Sequence, residues 1–200
     1  MRAEVTESVS PPTTGRACAG HLPASLVADL RTDHAGETGA VMIYRGILAT
    51  SQDAAVRAFA HEHLATEAHH LATIEWLLPP RQRSRLLPLW RGAGWLTGAL
   101  PALIGPSAVF ATIEAVETFV GRHYTEQIEL IDQLDPSAND TPLQTLRTQL
   151  DSFRADEVQH RDDAAARFDA HLAQPSLLLG LWIRAVGAGS RAAVQVCRWI

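Results

Sequence analysis

The chain has 200 residues, 46% of them hydrophobic and 20% charged, with a net charge of −5. That composition supports one folded domain with a sizeable core and excludes the basic footprint of a nucleic-acid binder. The two cysteines, Cys18 and Cys197, form neither a disulfide framework nor a zinc-binding spacing, which fits a reducing compartment.

Residues 1–23 are polar, contain prolines, carry Glu4 and Glu7 and lack an apolar signal core. They read as a disordered N-terminal tail ahead of a domain spanning 24–200. A first helix is expected from Ala24 to Thr50, where Leu26, Leu30, Val41, Tyr44 and Leu48 recur at helical spacing. A second runs from an Asp53 N-cap to Leu78 and is stopped by Pro79 and Pro80. A third begins near Pro106 and ends near Leu134, and a fourth runs from Pro142 to about Leu172. No alternating strand pattern appears, so the class is all-α.

Two segments stand apart. Residues 86–111 carry Arg91 as their single charge, and Pro88, Pro101, Pro106 and four glycines interrupt them. With Trp90 and Trp95 near one end, the stretch reads as a membrane-associating insertion rather than a span. Residues 175–200 contain no acid, and Arg184, Arg191 and Arg198 recur every seven residues beside apolar side chains. They predict a C-terminal amphipathic helix suited to an anionic bilayer surface.

The chemistry sits on the four long helices. Glu67-Ala-His-His70 and Glu157-Val-Gln-His160 are both Glu-x-x-His, and i and i+3 are neighbours on one helix face. At 100° per residue, Glu37, Glu67 and Glu157 each fall near the centre of an apolar stripe. An unpaired carboxylate is very costly there, so three such helices imply a compensating cation. On the third helix Glu117 lies about 30° from the stripe centre and Glu114 about 90° away, so Glu117 is the candidate ligand. The set is then Glu37, Glu67, His70, Glu117, Glu157 and His160. Four carboxylates and two imidazoles are the donors of a di-metal site in a ferritin-like four-helix bundle, and they suit iron or manganese. Asp156, four residues before His160, and Asp33 are candidates to orient a ligating imidazole. His63, on the apolar face one turn before Glu67, reads as a core histidine with a local hydrogen bond, the alternative being a support behind a metal ligand, and His61 and His69 read as solvated. Tyr124 lies two turns after Glu117 on the same face, where it either reaches the substrate pocket or fills the core.

The block Asp33-His-Ala-Gly-Glu37-Thr-Gly-Ala-Val-Met-Ile-Tyr44 resembles the first-helix signature of the demethoxyubiquinone hydroxylases. Glu67-x-x-His70, Val116-Glu117 with His123-Tyr124, and Asp156-Glu157-x-x-His160 follow in the family's order. Thr38 and Ile47 depart from the family's usual residues without touching the ligand set. The resemblance implies a peripheral membrane di-iron monooxygenase of ubiquinone biosynthesis. Its substrate would be 2-polyprenyl-3-methyl-6-methoxy-1,4-benzoquinol, with two Fe ions per chain, O₂ as co-substrate and an external reductant. The family's metal ligands fall on the same six residues, and His123 and Tyr124 match a pair linked to electron delivery or substrate contact. The implied location is the cytoplasmic face of a bacterial inner membrane. The implied partners are the polyprenyl quinol, the membrane surface, a lipid-binding or biosynthetic-complex protein, and further copies of the chain. The competing readings are a ferritin-like iron-storage protein and a di-iron oxygenase acting on another lipid.

Overall fold

The computed structural model describes residues 22–137, 141–170 and 177–200. Six α-helices account for nearly all of them: α1 (Ala24–Thr50), α2 (Ala54–Leu77), α3 (Leu87–Ile104), α4 (Pro106–Leu134), α5 (Pro142–Ala170) and α6 (Leu177–Cys197). No strand occurs among the described residues. The Asp53 side chain caps α2 by accepting from the backbone N–H groups of Ala55 and Val56, both at 2.9 Å. The expected N-terminal tail falls almost wholly outside the described residues, but Leu22, assigned to it, packs against the core.

Helices α1, α2, α4 and α5 form a ferritin-like bundle with its apolar core in two parts. One part joins Leu26, Leu30, Ile74, Tyr124, Ile128, Leu150 and Phe153. The other joins Ile43, Tyr44, Phe59, Phe110, Ile113 and Ala164. The start of α1 therefore lies with the ends of α2 and α4 and the start of α5. Because α2 and α4 run the same way, their connection must travel the length of the bundle, and α3 is that crossover. Its 18 residues reach about 27 Å.

This changes the reading of residues 86–111. The stretch is not one broken apolar segment. Residues 87–104 are a continuous helix packed on α1, and Ala108 to Ala111 are buried first turns of α4. Gly105, at φ +139°, makes the corner between α3 and α4, a conformation that glycine adopts without a Cβ clash. The other glycines do not interrupt α3, and two of them, Gly94 and Gly98, let it touch α1 backbone to backbone. A Cβ on Gly98 would stand 1.9 Å from the Ile43 carbonyl oxygen, and one on Gly94 2.4 Å from that of Gly39. Gly98→Val is accordingly expected to cost on the order of 3 kcal/mol in chemical denaturation, because the obstructing atoms are backbone and cannot rotate away.

Helix α6 lies across α4 and α1. Trp182 donates from Nε1 to Thr112 Oγ1 at 2.9 Å. At the far end, Arg198 pairs with the buried Asp29 at 2.6 Å. The expected basic stripe is therefore reduced to Arg184 and Arg191, since Arg198 is spent on an ion pair within the molecule. Among the described helices, α6 is long and apolar enough to cross a membrane by length and composition.

Candidate metal centre

Between the two apolar parts lies a layer of acids and imidazoles. Glu37, Glu67, Glu117 and Glu157 are each at most 2% exposed, and His70 and His160 at most 3%. The structure brings all six predicted residues together, from four helices. Their donor atoms form two overlapping groups: Glu37, Glu67, His70 and Glu157; and Glu67, Glu117, Glu157 and His160. Within each group the atoms lie within 4.8 Å of one another. The glutamates of the two Glu-x-x-His pairs belong to both groups. Both histidines turn Nδ1 inward: His70 Nδ1 is 3.1 Å from Glu157 Oε1, and His160 Nδ1 is 3.1 Å from Glu67 Oε1.

The fit to a cation can be tested on the inward atoms. Glu37 Oε2, Glu67 Oε1, both Glu157 carboxylate oxygens, His70 Nδ1 and His160 Nδ1 are buried without a hydrogen-bond partner. Buried polar atoms are almost always satisfied, so six orphans facing one centre match a site for positive ions. The outer atoms are held. Tyr44 donates from its hydroxyl to Glu117 Oε1 at 3.0 Å, and Tyr124 donates to Glu37 Oε1. Sequence reasoning placed Tyr44 only in a core stripe. A signal was available, because Tyr44 follows Glu37, and Tyr124 follows Glu117, at the same spacing of seven.

The supporting residues differ in part from expectation. Asp156 does not serve His160, its neighbour on α5; it crosses to α2, where its Oδ2 lies 3.0 Å from His70 Nε2. Asp33 orients neither candidate ligand histidine. Its Oδ1 is 3.2 Å from His123 Nε2 and accepts from Gln127 Nε2 at 2.6 Å. His63 is buried, but its partner is not local: Nε2 lies 3.1 Å from Asp163 Oδ2 on α5. Glu114 is half-buried and outside the cluster, and His61 and His69 are exposed.

Packing four carboxylates together moves their titration. Burial, then the neighbouring Glu157, raises Glu37 to about 7, and the same two causes push Glu67 and Glu117 well above the carboxylate range. Burial would lower His70, but Glu157 and Glu37 bring it up to about 9. In the metal-free chain both groups therefore bind protons more tightly when folded than when unfolded. Stability falls as pH rises from 4.5 to 7 through Glu37 and from 6.5 to 9 through His70. Metal-free protein is therefore expected to be less stable at pH 8 than at pH 5, read by denaturant melts at the two pH values. Divalent ions bound by the cluster should remove most of that slope.

A cavity of about 390 Å³ reaches the cluster. Glu37, Glu67, Glu117 and Glu157 line it at one side, with Gly36, Gly39 and Ile43 of α1, Trp90 and Gly94 of α3, Val116 and Phe119 of α4, and Trp182, Val186 and Val194 of α6. Helices α3 and α6 thus wall the approach to the acids.

The sequence model of the family described as "Ubiquinone biosynthesis protein COQ7" matches residues 24–197. The chain belongs to the COQ7 family. It is 37% identical to the 3-demethoxyubiquinol 3-hydroxylase of Rhodospirillum rubrum, over 87% of this chain and 78% of that protein. It is 35% identical to the mitochondrial NADPH-dependent 3-demethoxyubiquinone 3-hydroxylase of Mus musculus, over 84% and 74%. It is 34% identical to the mitochondrial 5-demethoxyubiquinone hydroxylase of Saccharomyces cerevisiae, over 78% and 72%. All four bundle helices, the crossover α3 and the cavity wall α6 fall within the matched COQ7 segment.

Proposed function

We propose that the chain is a di-iron monooxygenase that hydroxylates the ring of 2-polyprenyl-3-methyl-6-methoxy-1,4-benzoquinol with O₂ and an external reductant. One observation carries this reading: a buried cluster of six Glu and His residues, five of them with unsatisfied inward atoms, borders a largely apolar cavity through its four glutamates. The COQ7 relatives named as hydroxylases support it. In this assignment Glu37, Glu67, His70 and Glu157 would hold one ion, and Glu67, Glu117, Glu157 and His160 the other. Four carboxylates balance two divalent charges, and the donor hardness suits iron. A bound iron pair supplies the redox chemistry that activates O₂ toward an aromatic ring.

The chain's own residues do the rest. Tyr44 and Tyr124 fix the outer oxygens of Glu117 and Glu37. Asp156 orients His70. The apolar walls exclude water and seat the quinol ring against the acids. We assign Tyr124 to positioning at Glu37. His123, whose ring centroid is 6.5 Å from that of Tyr124, is the group for electron delivery or substrate contact.

A polyprenyl substrate comes from a bilayer. Leu103 and Ile104 at the end of α3, and Leu177, Leu178 and Leu181 at the start of α6, are exposed. They supply an apolar surface for docking on a membrane, here proposed as the cytoplasmic face of a bacterial inner membrane. A ferritin-like storage role would need neither that surface nor the cavity.

Reconstitution with Fe²⁺, followed by turnover with a demethoxyquinol, O₂ and a reductant, tests the reading. Two Fe per chain and hydroxylated quinol are expected, and full activity from metal-free protein would refute it.

A further inference from the structure

The two halves of the centre follow one plan. Each shared glutamate has an aromatic ring four residues before it: Phe153 before Glu157 and His63 before Glu67. Each ring lies against the imidazole supplied by the opposite helix. The Phe153 and His70 centroids are 4.1 Å apart, and so are those of His63 and His160, the latter pair edge to face at 80°.

The halves differ in polarity. The residue before Glu157 is Asp156, whose carboxylate meets His70 Nε2; the residue before Glu67 is Thr66. On the Thr66 side the acid reaches the centre by a longer route. Asp163 accepts from Arg167 Nε at 2.9 Å through Oδ1 and meets His63 Nε2 at 3.1 Å through Oδ2. His63, 3% exposed, then presents its ring to His160. Core packing alone would be served by a phenyl ring, as at Phe153. A buried imidazole costs desolvation unless it is hydrogen-bonded, and its bond to Asp163 sets the ring's orientation.

We infer that His63, tethered by Asp163, is a positioning residue for His160, and that the two ion positions are unequal in consequence. The position at Glu37 and His70 is backed directly by a carboxylate. The position at Glu117 and His160 is backed by a ring held at one remove, and it is the weaker. This rests on the di-metal reading above. It goes further by ranking the two positions and giving His63 and Asp163 a part in one of them.

Anaerobic Co²⁺ titration of the full chain, followed by visible absorption, tests it. Wild type should take up two ions in two steps of different affinity. His63→Leu should weaken the second step about 10- to 100-fold, the usual effect of losing such outer support, and leave the first unchanged. His63→Phe, which keeps the ring and loses the tether, should fall between. Asp156→Ala should weaken the other step. Asp163→Ala, at a partly exposed position, should weaken the second step by less than His63→Leu, and it carries the test if circular dichroism shows the Leu variant unfolded. Two equal steps in wild type, an unaltered second step in the variants, or equal weakening of both steps by His63→Leu would overturn the inference. Uptake of fewer than two ions by wild type would instead refute the di-metal reading itself.

Discussion

Glu157→Ala is expected to abolish hydroxylation and to leave a chain that no longer holds a pair of ions. Glu157 belongs to both donor groups, is fully buried, and has two carboxylate oxygens without hydrogen-bond partners. Removing a support outside the donor set costs about 10- to 100-fold in affinity or activity, so removing a donor shared by both groups should cost more than about 100-fold. Glu37 and Glu117 each belong to one group. Glu37→Ala and Glu117→Ala are therefore expected to retain one ion per chain where Glu157→Ala retains fewer, as read by iron analysis after desalting. Two tightly held ions in Glu157→Ala would contradict the assignment of Glu157 as a donor shared by both ion positions.

The second large effect separates substrate access from metal binding. Gly39 lines the cavity, and a Cβ built there meets no atom within 4 Å. Gly39→Leu should place its side chain in the space proposed for the quinol. It should also favour the helix by about 0.5–1 kcal/mol, because glycine is the poorer helix former. The expected outcome is unchanged iron content, equal or higher thermal stability, and a loss of turnover of more than about 100-fold, since misplacing a substrate by about 1 Å already costs that much. Normal turnover in this variant would move the substrate out of the cavity. The contrast with Gly98→Val is informative: that glycine faces the backbone of α1 and its replacement should unfold the crossover contact, whereas Gly39 faces open space.

The donor cluster was legible in the sequence because burying a carboxylate leaves a local mark. Glu37, Glu67 and Glu157 sit at the centre of apolar stripes, and the 3.6-residue period alone shows this. The same period selects Glu117 over Glu114. The Asp53 cap and the prolines after Leu78 are likewise local signals, and they bound α2 where the structure has it.

Contacts between helices were less legible. Asp156 and His160 share a helix and the right spacing, yet the Asp156 carboxylate crosses to His70, because His160 spends its Nδ1 on the centre and packs its ring on His63. Asp33 similarly leaves the centre for His123. Residues 86–111 carry the composition of a membrane insertion. Which of their glycines are interface depends on where α1 passes, and no property of that stretch alone encodes this.

Periodicity along single helices thus set the class, the four bundle helices and the four buried glutamates, and the Glu-x-x-His spacing added the two histidines, since each depends on one helix at a time. Packing decided which acid orients which imidazole, that α3 is a crossover laid against α1 through Gly94 and Gly98, and that α6 closes the cavity over the acids. Those depend on the relative positions of two or more helices. Long-range contacts of this kind are made by residues whose local surroundings look alike whether or not the contact exists.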